Sequence, residues 1–168
     1  NTNWSTQIQG VTPDFFEARE WKLAAGRHFE PPELTGSAKV AIIGQSAAKQ
    51  LFGESTPPEA IVDQQIRVRK VPMTVVGVLE KKGQSALGQD QDDVLFVPIA
   101  TGRNRLFGNP QGKLRRVTTI TVKVREGGDM KAVEERIRDL LRQRHRLQAG
   151  ADDDFTLRNL TELLQAQE

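Results

Sequence analysis

The chain has 168 residues, 37% apolar and 27% charged, which suits one compact domain or two small lobes and excludes a disordered chain. Twenty-four basic against 22 acidic residues leave a formal charge of +2, so a pI of about 9.1 is weak support for nucleic-acid binding, where Lys and Arg gather on one face without interleaved acids. With no cysteine, thiolate catalysis, cysteine-based zinc sites and disulfides are excluded.

No apolar run approaches the roughly 20 residues of a membrane helix, and no signal peptide is visible. Residues 4–11 alternate apolar and polar, with Trp4, Thr6 and Ile8 on one side, and predict a half-buried strand. Thr12-Pro13-Asp14 starts a helix, since Thr caps, Pro tolerates the first helical position and Asp suits the positive end. Phe15, Phe16, Trp21 and Leu23 form an apolar cluster that stops at Gly26, and Glu30-Pro31-Pro32-Glu33 reads as a turn. Lys39-Val40-Ala41-Ile42-Ile43 is a short buried strand. Gly44-Gln45-Ser46 turns the chain, and Ser46 is placed to cap a helix ending at Leu51-Phe52-Gly53. Residues 54–59 are loop. Residues 65–69 and 73–79 are two strands joined as a hairpin through Lys70-Val71-Pro72.

Residues 81–93 form a long polar loop, a kind of segment that often carries function or moves. Val94-Leu95-Phe96-Val97 is a strand, Pro98 begins a helix toward Leu106-Phe107-Gly108, and residues 108–115 are a second polar loop. Residues 117–124 alternate as a long strand. Asp129 caps a helix whose Ala132, Val133, Ile137, Leu140 and Leu141 recur at helical spacing. Residues 155–158 read as a short strand, with Asn159 or Thr161 capping a last helix. Strand, helix, strand predicts a split or parallel βαβ unit in the last third. Both ends of the chain read as cut from a longer polypeptide.

Residues that carry chemistry are sparse. His28 and His145 are the two histidines. The first sits at a segment end, and the second lies between Arg144 and Arg146, whose charge disfavours its protonation. No Gly-x-Ser-x-Gly elbow is present, so helix-end or surface histidines are the better reading. The Asp90, Asp92, Asp93 cluster lacks the Gly and Glu of a calcium-binding EF-hand loop, because Leu95 and Thr101 stand at those positions. The Asp152, Asp153, Asp154 cluster likewise leads into a predicted strand. Gly44-Gln45-Ser46 lacks the second Gly and the Lys of a P-loop. Arg136, Arg138, Arg142, Arg144 and Arg146 crowd one helix end, interleaved with Glu134, Glu135 and Asp139. That arrangement complements the helix dipole and reads first as a solvated face, second as a surface for an acidic partner or anionic headgroups.

Taken in order, these segments resemble a known family. Gln9-Gly10-Val11-Thr12-Pro13-Asp14-Phe15-Phe16, with residues 21–29, resembles the entry of the MacB-like periplasmic core domain of ABC-transporter permeases. Val40-Ala41-Ile42-Ile43-Gly44 and Leu51-Phe52-Gly53 continue the pattern. Val75-Val76-Gly77-Val78-Leu79, Lys82-Gly83-Gln84-Ser85 and Asp90-Gln91-Asp92-Asp93-Val94 through Pro98 resemble its centre. Arg144-His145-Arg146-Leu147, Asp153-Asp154-Phe155 and Arg158-Asn159 resemble its end. One departure is the stretch 57–64, where the family has a short Pro-Val-Gly-Gln turn and this chain lacks the Gly.

The resemblance implies an α/β (α+β) fold with a porter-like βαβ lobe, assigned to residues 116–168, and a β-rich lobe over 1–115. The N-terminal strand-helix-strand portion of the full domain is missing, leaving a free sheet edge. It also implies a non-catalytic, extracytoplasmic module of an inner-membrane permease, whose membrane helices and ATP-binding cassette lie elsewhere. That module transmits ATP-driven conformational change and docks a periplasmic adaptor for export, as a homodimer in the intact transporter. No cofactor, metal or nucleic acid is expected. Candidate partner contacts are Leu87, Asp90, Asp92 and Asp93 on the long loop and Arg142, Arg144 and Arg146 at the basic helix end. The alternatives are a stand-alone ligand-binding domain of the cell envelope, which needs a deep apolar pocket, and an envelope hydrolase.

Overall fold

The structure, a computed structural model, describes residues 2–85, 87–107 and 117–166. It divides into two compact units, Asn1–Thr121 and Val122–Glu168. The first is built on a six-stranded mixed sheet. Its strands are β1 (Gln7–Val11), β2 (Leu23–Gly26), β3 (Val40–Ile43), β4 (Gln65–Val68), β5 (Val71–Leu79) and β6 (Val94–Pro98). They lie in the order β1-β6-β3-β5-β2, with β4 on the first half of β5. β1 runs parallel to β6 and β3 parallel to β5, while β3–β6, β2–β5 and β4–β5 are antiparallel.

β3 and β6 are buried along their whole length, which is why they are unbroken apolar runs rather than alternating ones. Successive side chains still take opposite faces. Ala41, Ile43, Leu95 and Val97 point into one core with Ala47, Ala48 and Ile61. Val40, Ile42, Val94 and Phe96 point into the other, with Phe16, Trp21 and Phe29. On β5, Val75 and Val78 share the first face and Val76 and Leu79 the second. That break in parity follows from a register shift, since Ala41 pairs with Val75 but Ile42 with Gly77. One extra residue in β5 is a bulge, and it turns the strand end toward β2.

The helices of this unit are short. α1 (Phe15–Ala18), α2 (Pro31–Thr35), α3 (Gln45–Phe52), α4 (Pro58–Ile61) and α5 (Ile99–Thr101) precede a π-helical turn at Gly102–Leu106. Several elements correct the sequence reading, α4 among them, since it opens at Pro58 within the stretch 54–59 expected as loop. Residues 30–33, expected as a turn, open α2. Glu30 and Glu33 form a reciprocal capping box, and proline suits the first helical turn. β2 was hidden inside a segment read only as an apolar cluster. It ends at Gly26, whose φ of 81° and whose approach to the Val76 carbonyl leave no room for a Cβ. Ser46 does not cap α3, whose N-cap is Gly44 with no side-chain bond. The β4–β5 hairpin forms as expected, but its turn is Arg69-Lys70, both at positive φ, the geometry that matches strand twist in a two-residue connection.

In the second unit, α6 (Met130–Arg144) is capped by Asp129, whose carboxylate accepts from the amides of Lys131 and Ala132. α7 (Leu160–Gln165) is capped by Asn159, which accepts from the Thr161 amide and donates to Glu134 on α6. The class is mixed α/β. Residues 117–124 and 155–158, expected as strands, carry no ladder among the described residues. Alternation marks a chain suited to half-burial, but a strand exists only where a neighbour takes its backbone groups. Here Val117, Ile120 and Val122 are exposed instead. The second polar loop, residues 108–115, lies outside the described residues. No described helix is long and apolar enough to cross a membrane.

Candidate functional site: a hairpin between the fifth and sixth strands

Apart from residue 86, which lies outside the described residues, the polar stretch expected as a loop is a small hairpin. Gln84 and Asp90 form an antiparallel bridge. The Ser85 amide donates to the Gln89 carbonyl at 2.7 Å, Gln91 to Gly83 at 3.0 Å, and Gly88 to Ser85 at 2.9 Å. The Ser85 hydroxyl oxygen accepts from the amides of Leu87 and Gln89, a local side-chain turn of the kind serine favours. Leu87 stands at the tip, 78% exposed.

The root of the hairpin is held by Asp92, which is 1% exposed. Its two carboxylate oxygens accept from the amides of Lys82 (2.7 Å) and Gly83 (2.8 Å). Its own amide donates to the Asp90 carboxylate at 2.9 Å. Its carbonyl accepts from Ser46 and Ala47 at the start of α3, so two amides left over by helix geometry are satisfied from the hairpin root. This is why Ser46 need not cap, and why residue 44 is glycine: a Cβ there would lie 2.2 Å from the Asp92 carbonyl oxygen. The outline of an anion site at Gly44-Gln45-Ser46 is filled by the protein's own backbone.

Around this root the fold brings together residues far apart in sequence. Asp93 accepts from the Trp4 indole (2.8 Å) and the Thr6 hydroxyl (2.7 Å). Lys82 donates to the Arg19 carbonyl at 2.7 Å and lies 5.0 Å over the Trp21 ring. Arg19 reaches Gln91, and the Trp21 indole donates to the Glu80 carbonyl. Burial, with the nearby Arg19 charge, pushes the Lys82 ammonium below its ordinary pKa. Trp4, Thr6, Arg19 and Lys82 have no local sequence signal as hairpin supports, because their partners lie up to 89 positions away.

The sequence-predicted contacts therefore separate. Leu87 is at the tip. Asp90 is exposed at the hairpin base with one oxygen on Asp92. Asp92 is corrected: it is buried and spent on backbone amides, because loop amides turned inward need an internal acceptor. Asp93 anchors residues 4–6. Arg142, Arg144 and Arg146 lie in the second unit. Arg142 donates to Asp153 at 2.6 Å and to the Gln148 carbonyl, whereas Arg144 and Arg146 are exposed. Asp153, bonded first by Arg142 and then by Arg138, is held below the ordinary carboxylate pKa. His145 Nδ1 is 2.7 Å from Asp154, and its ring meets Phe155 edge-on. His28 is exposed beside the Phe16 ring.

A mixed six-stranded sheet with short helices on both faces defines an α/β domain. It superposes on the periplasmic region of MacB from Actinobacillus actinomycetemcomitans with a TM-score of 0.72 over 95% of this chain and 64% of that one, at 24% identity. The sequence pattern of the MacB-like periplasmic core domain matches residues 1–140, and the chain belongs to that family. Among curated relatives, the macrolide export ATP-binding/permease protein MacB of Bdellovibrio bacteriovorus is 35% identical over 99% of this chain. That of Rhodospirillum rubrum is 36% identical over 97%. The chain spans about a quarter of the length of these relatives, 24% and 23%.

Proposed function

We propose that the chain is the extracytoplasmic module of a MacB-type export permease, relaying conformational change driven by ATP hydrolysis elsewhere in the transporter and docking a periplasmic adaptor. Membership of the MacB-like periplasmic core domain family carries this reading. The first unit has the mechanical character a relay needs. Its central strands are buried on both faces, and close-packed interiors transmit displacement rather than absorb it. The intact transporter is then a homodimer with membrane helices and ATP-binding domains outside this chain.

The test uses the complete permease with the periplasmic adaptor produced alongside it. Adaptor binding is measured by surface plasmon resonance and ATP turnover by phosphate release, with and without adaptor. Binding together with adaptor-dependent turnover is the expected result. An adaptor that neither binds nor alters turnover refutes the reading.

A further inference from the structure

We infer that the adaptor docks on an acid-free basic corner of the first unit, where Arg69, Lys70 and Arg105 meet carboxylates on the partner protein. The inference rests on the docking function proposed above and names its contact and its chemistry.

Three segments converge at this corner. The β4–β5 turn carries Arg69 and Lys70, the π-helical turn at Gly102–Leu106 carries Arg105, and residues 36–39 lead into β3. Arg69 donates to the Leu106 carbonyl at 3.0 Å and lies 5.3 Å from the centre of the Phe107 ring. Arg105 donates through Nε to the Ser37 carbonyl at 2.6 Å, and Asn104 donates to the Ser37 hydroxyl at 2.6 Å. The Thr101 hydroxyl donates to the Ala38 carbonyl at 2.7 Å. The π-turn is thus tied to both neighbouring segments, and such turns are rare and frequently mark functional sites.

The positive charge here is uncompensated. Residues 36–43, 64–79 and 94–107 contain six Lys or Arg and no Asp or Glu. Arg27, Arg138 and Arg142 are each bonded to a carboxylate. Arg69 and Arg105 are bonded to backbone carbonyls instead. A carbonyl at the end of a helical turn attracts a cation but cancels none of its net charge. Each guanidinium is therefore held in place with N–H groups to spare, and Lys70 is exposed next to Arg69.

That combination selects the occupant. A guanidinium held in place binds a carboxylate through two parallel bonds and loses little further entropy in doing so. Headgroup binding draws on larger clusters, about 4–8 Lys or Arg flanking a membrane helix or on an amphipathic helix, and the exposed aromatic at this corner, Phe107, is engaged by Arg69. A second copy docked through the same patch sets like charges against each other across a twofold axis. An acidic face on the adaptor meets neither objection.

The experiment measures adaptor binding to the complete permease by surface plasmon resonance, at low and at high salt. The permease is held in nanodiscs of phosphatidylcholine with or without phosphatidylglycerol, and its self-association is followed by light scattering. The variants are Lys70→Glu, Arg105→Gln and, at the basic helix end of the second unit, Arg144→Glu. Lys70→Glu is expected to weaken binding about tenfold at low salt, chiefly through slower association, with a smaller difference at high salt. Arg105→Gln shifts binding in the same direction, and Arg144→Glu stays within about twofold. Lys70→Glu melts with the parent because its side chain is exposed, so it decides the matter even where Arg105→Gln loses stability. Binding unchanged by Lys70→Glu overturns the corner assignment and leaves adaptor docking standing. An equal loss in Arg144→Glu overturns it as a general effect of charge. A loss confined to discs with phosphatidylglycerol overturns it in favour of a headgroup contact, and a loss of self-association alone in favour of a contact between copies. No binding by the parent permease overturns both readings.

Discussion

Asp92 is the residue at which the structure reverses the natural reading of an acidic loop, and its replacement gives a sharp test. In Asp92→Ala, the amides of Lys82 and Gly83 lose bonds of 2.7 and 2.8 Å to a charged acceptor. Bonds of that kind contribute about 1.5–3 kcal/mol each, and water entering the space the side chain leaves restores part, leaving a net cost of about 2–4 kcal/mol. Asp92→Asn is nearly as damaging, at about 2–3 kcal/mol, because its amide offers one oxygen to two N–H groups and sets its own NH2 against the other. Asp90→Asn keeps a carbonyl oxygen for the single bond from the Asp92 amide and costs less than about 0.5 kcal/mol, as surface changes do. Urea unfolding followed by tryptophan fluorescence suits the measurement, since both tryptophans, Trp4 and Trp21, lie in the sheet unit beside this root. An Asp92→Asn variant within about 0.5 kcal/mol of the parent, or an Asp90→Asn variant as damaged as Asp92→Asn, refutes the assignment of Asp92 as the internal acceptor.

Gly44→Ala forces a Cβ to 2.2 Å from the Asp92 carbonyl. The same unfolding assay is expected to give a loss of at least about 3 kcal/mol, since backbone rather than a flexible side chain blocks the space. Asp129→Ala removes the cap of α6 and is expected to cost about 1 kcal/mol, read as lower helicity and an earlier melt by circular dichroism. The Asp153 carboxyl, bonded to Arg142 and Arg138, has its pKa depressed in the folded state. Its stabilising contribution is complete above the ordinary carboxylate range and is lost as pH falls through the depressed value. NMR titration should find Asp153 protonating at lower pH than it does in Arg142→Gln; identical titration curves contradict the pairing.

Much of the fold was legible in order along the chain. β3 and β6 are unbroken apolar runs, the β4–β5 hairpin follows from two strand patterns on either side of a short turn, and α6 has its apolar spacing and its cap at Asp129. These signals are local, because burial of a strand and capping of a helix each require particular residue types within a few positions. The elements that went unread are those settled by a distant partner. β2 has too short a pattern to announce itself and exists because the end of β5 accepts it beyond the bulge at Gly77. Residues 117–124 have the alternation of a strand and no neighbour to pair with among the described residues.

The candidate site divides in the same way. A polar loop with Leu87 between Gly83 and Gly88 could be read from the sequence, and so could its acids. Their roles could not. Asp90, Asp92 and Asp93 are near-identical in sequence context, yet one is exposed, one is buried on Lys82 and Gly83, and one holds Trp4 and Thr6. A carboxylate costs too much to bury unless inward-facing donors are waiting for it. Which of three neighbouring acids meets such donors depends on where β5, α3 and residues 4–6 converge, and that is decided only when the sheet has assembled.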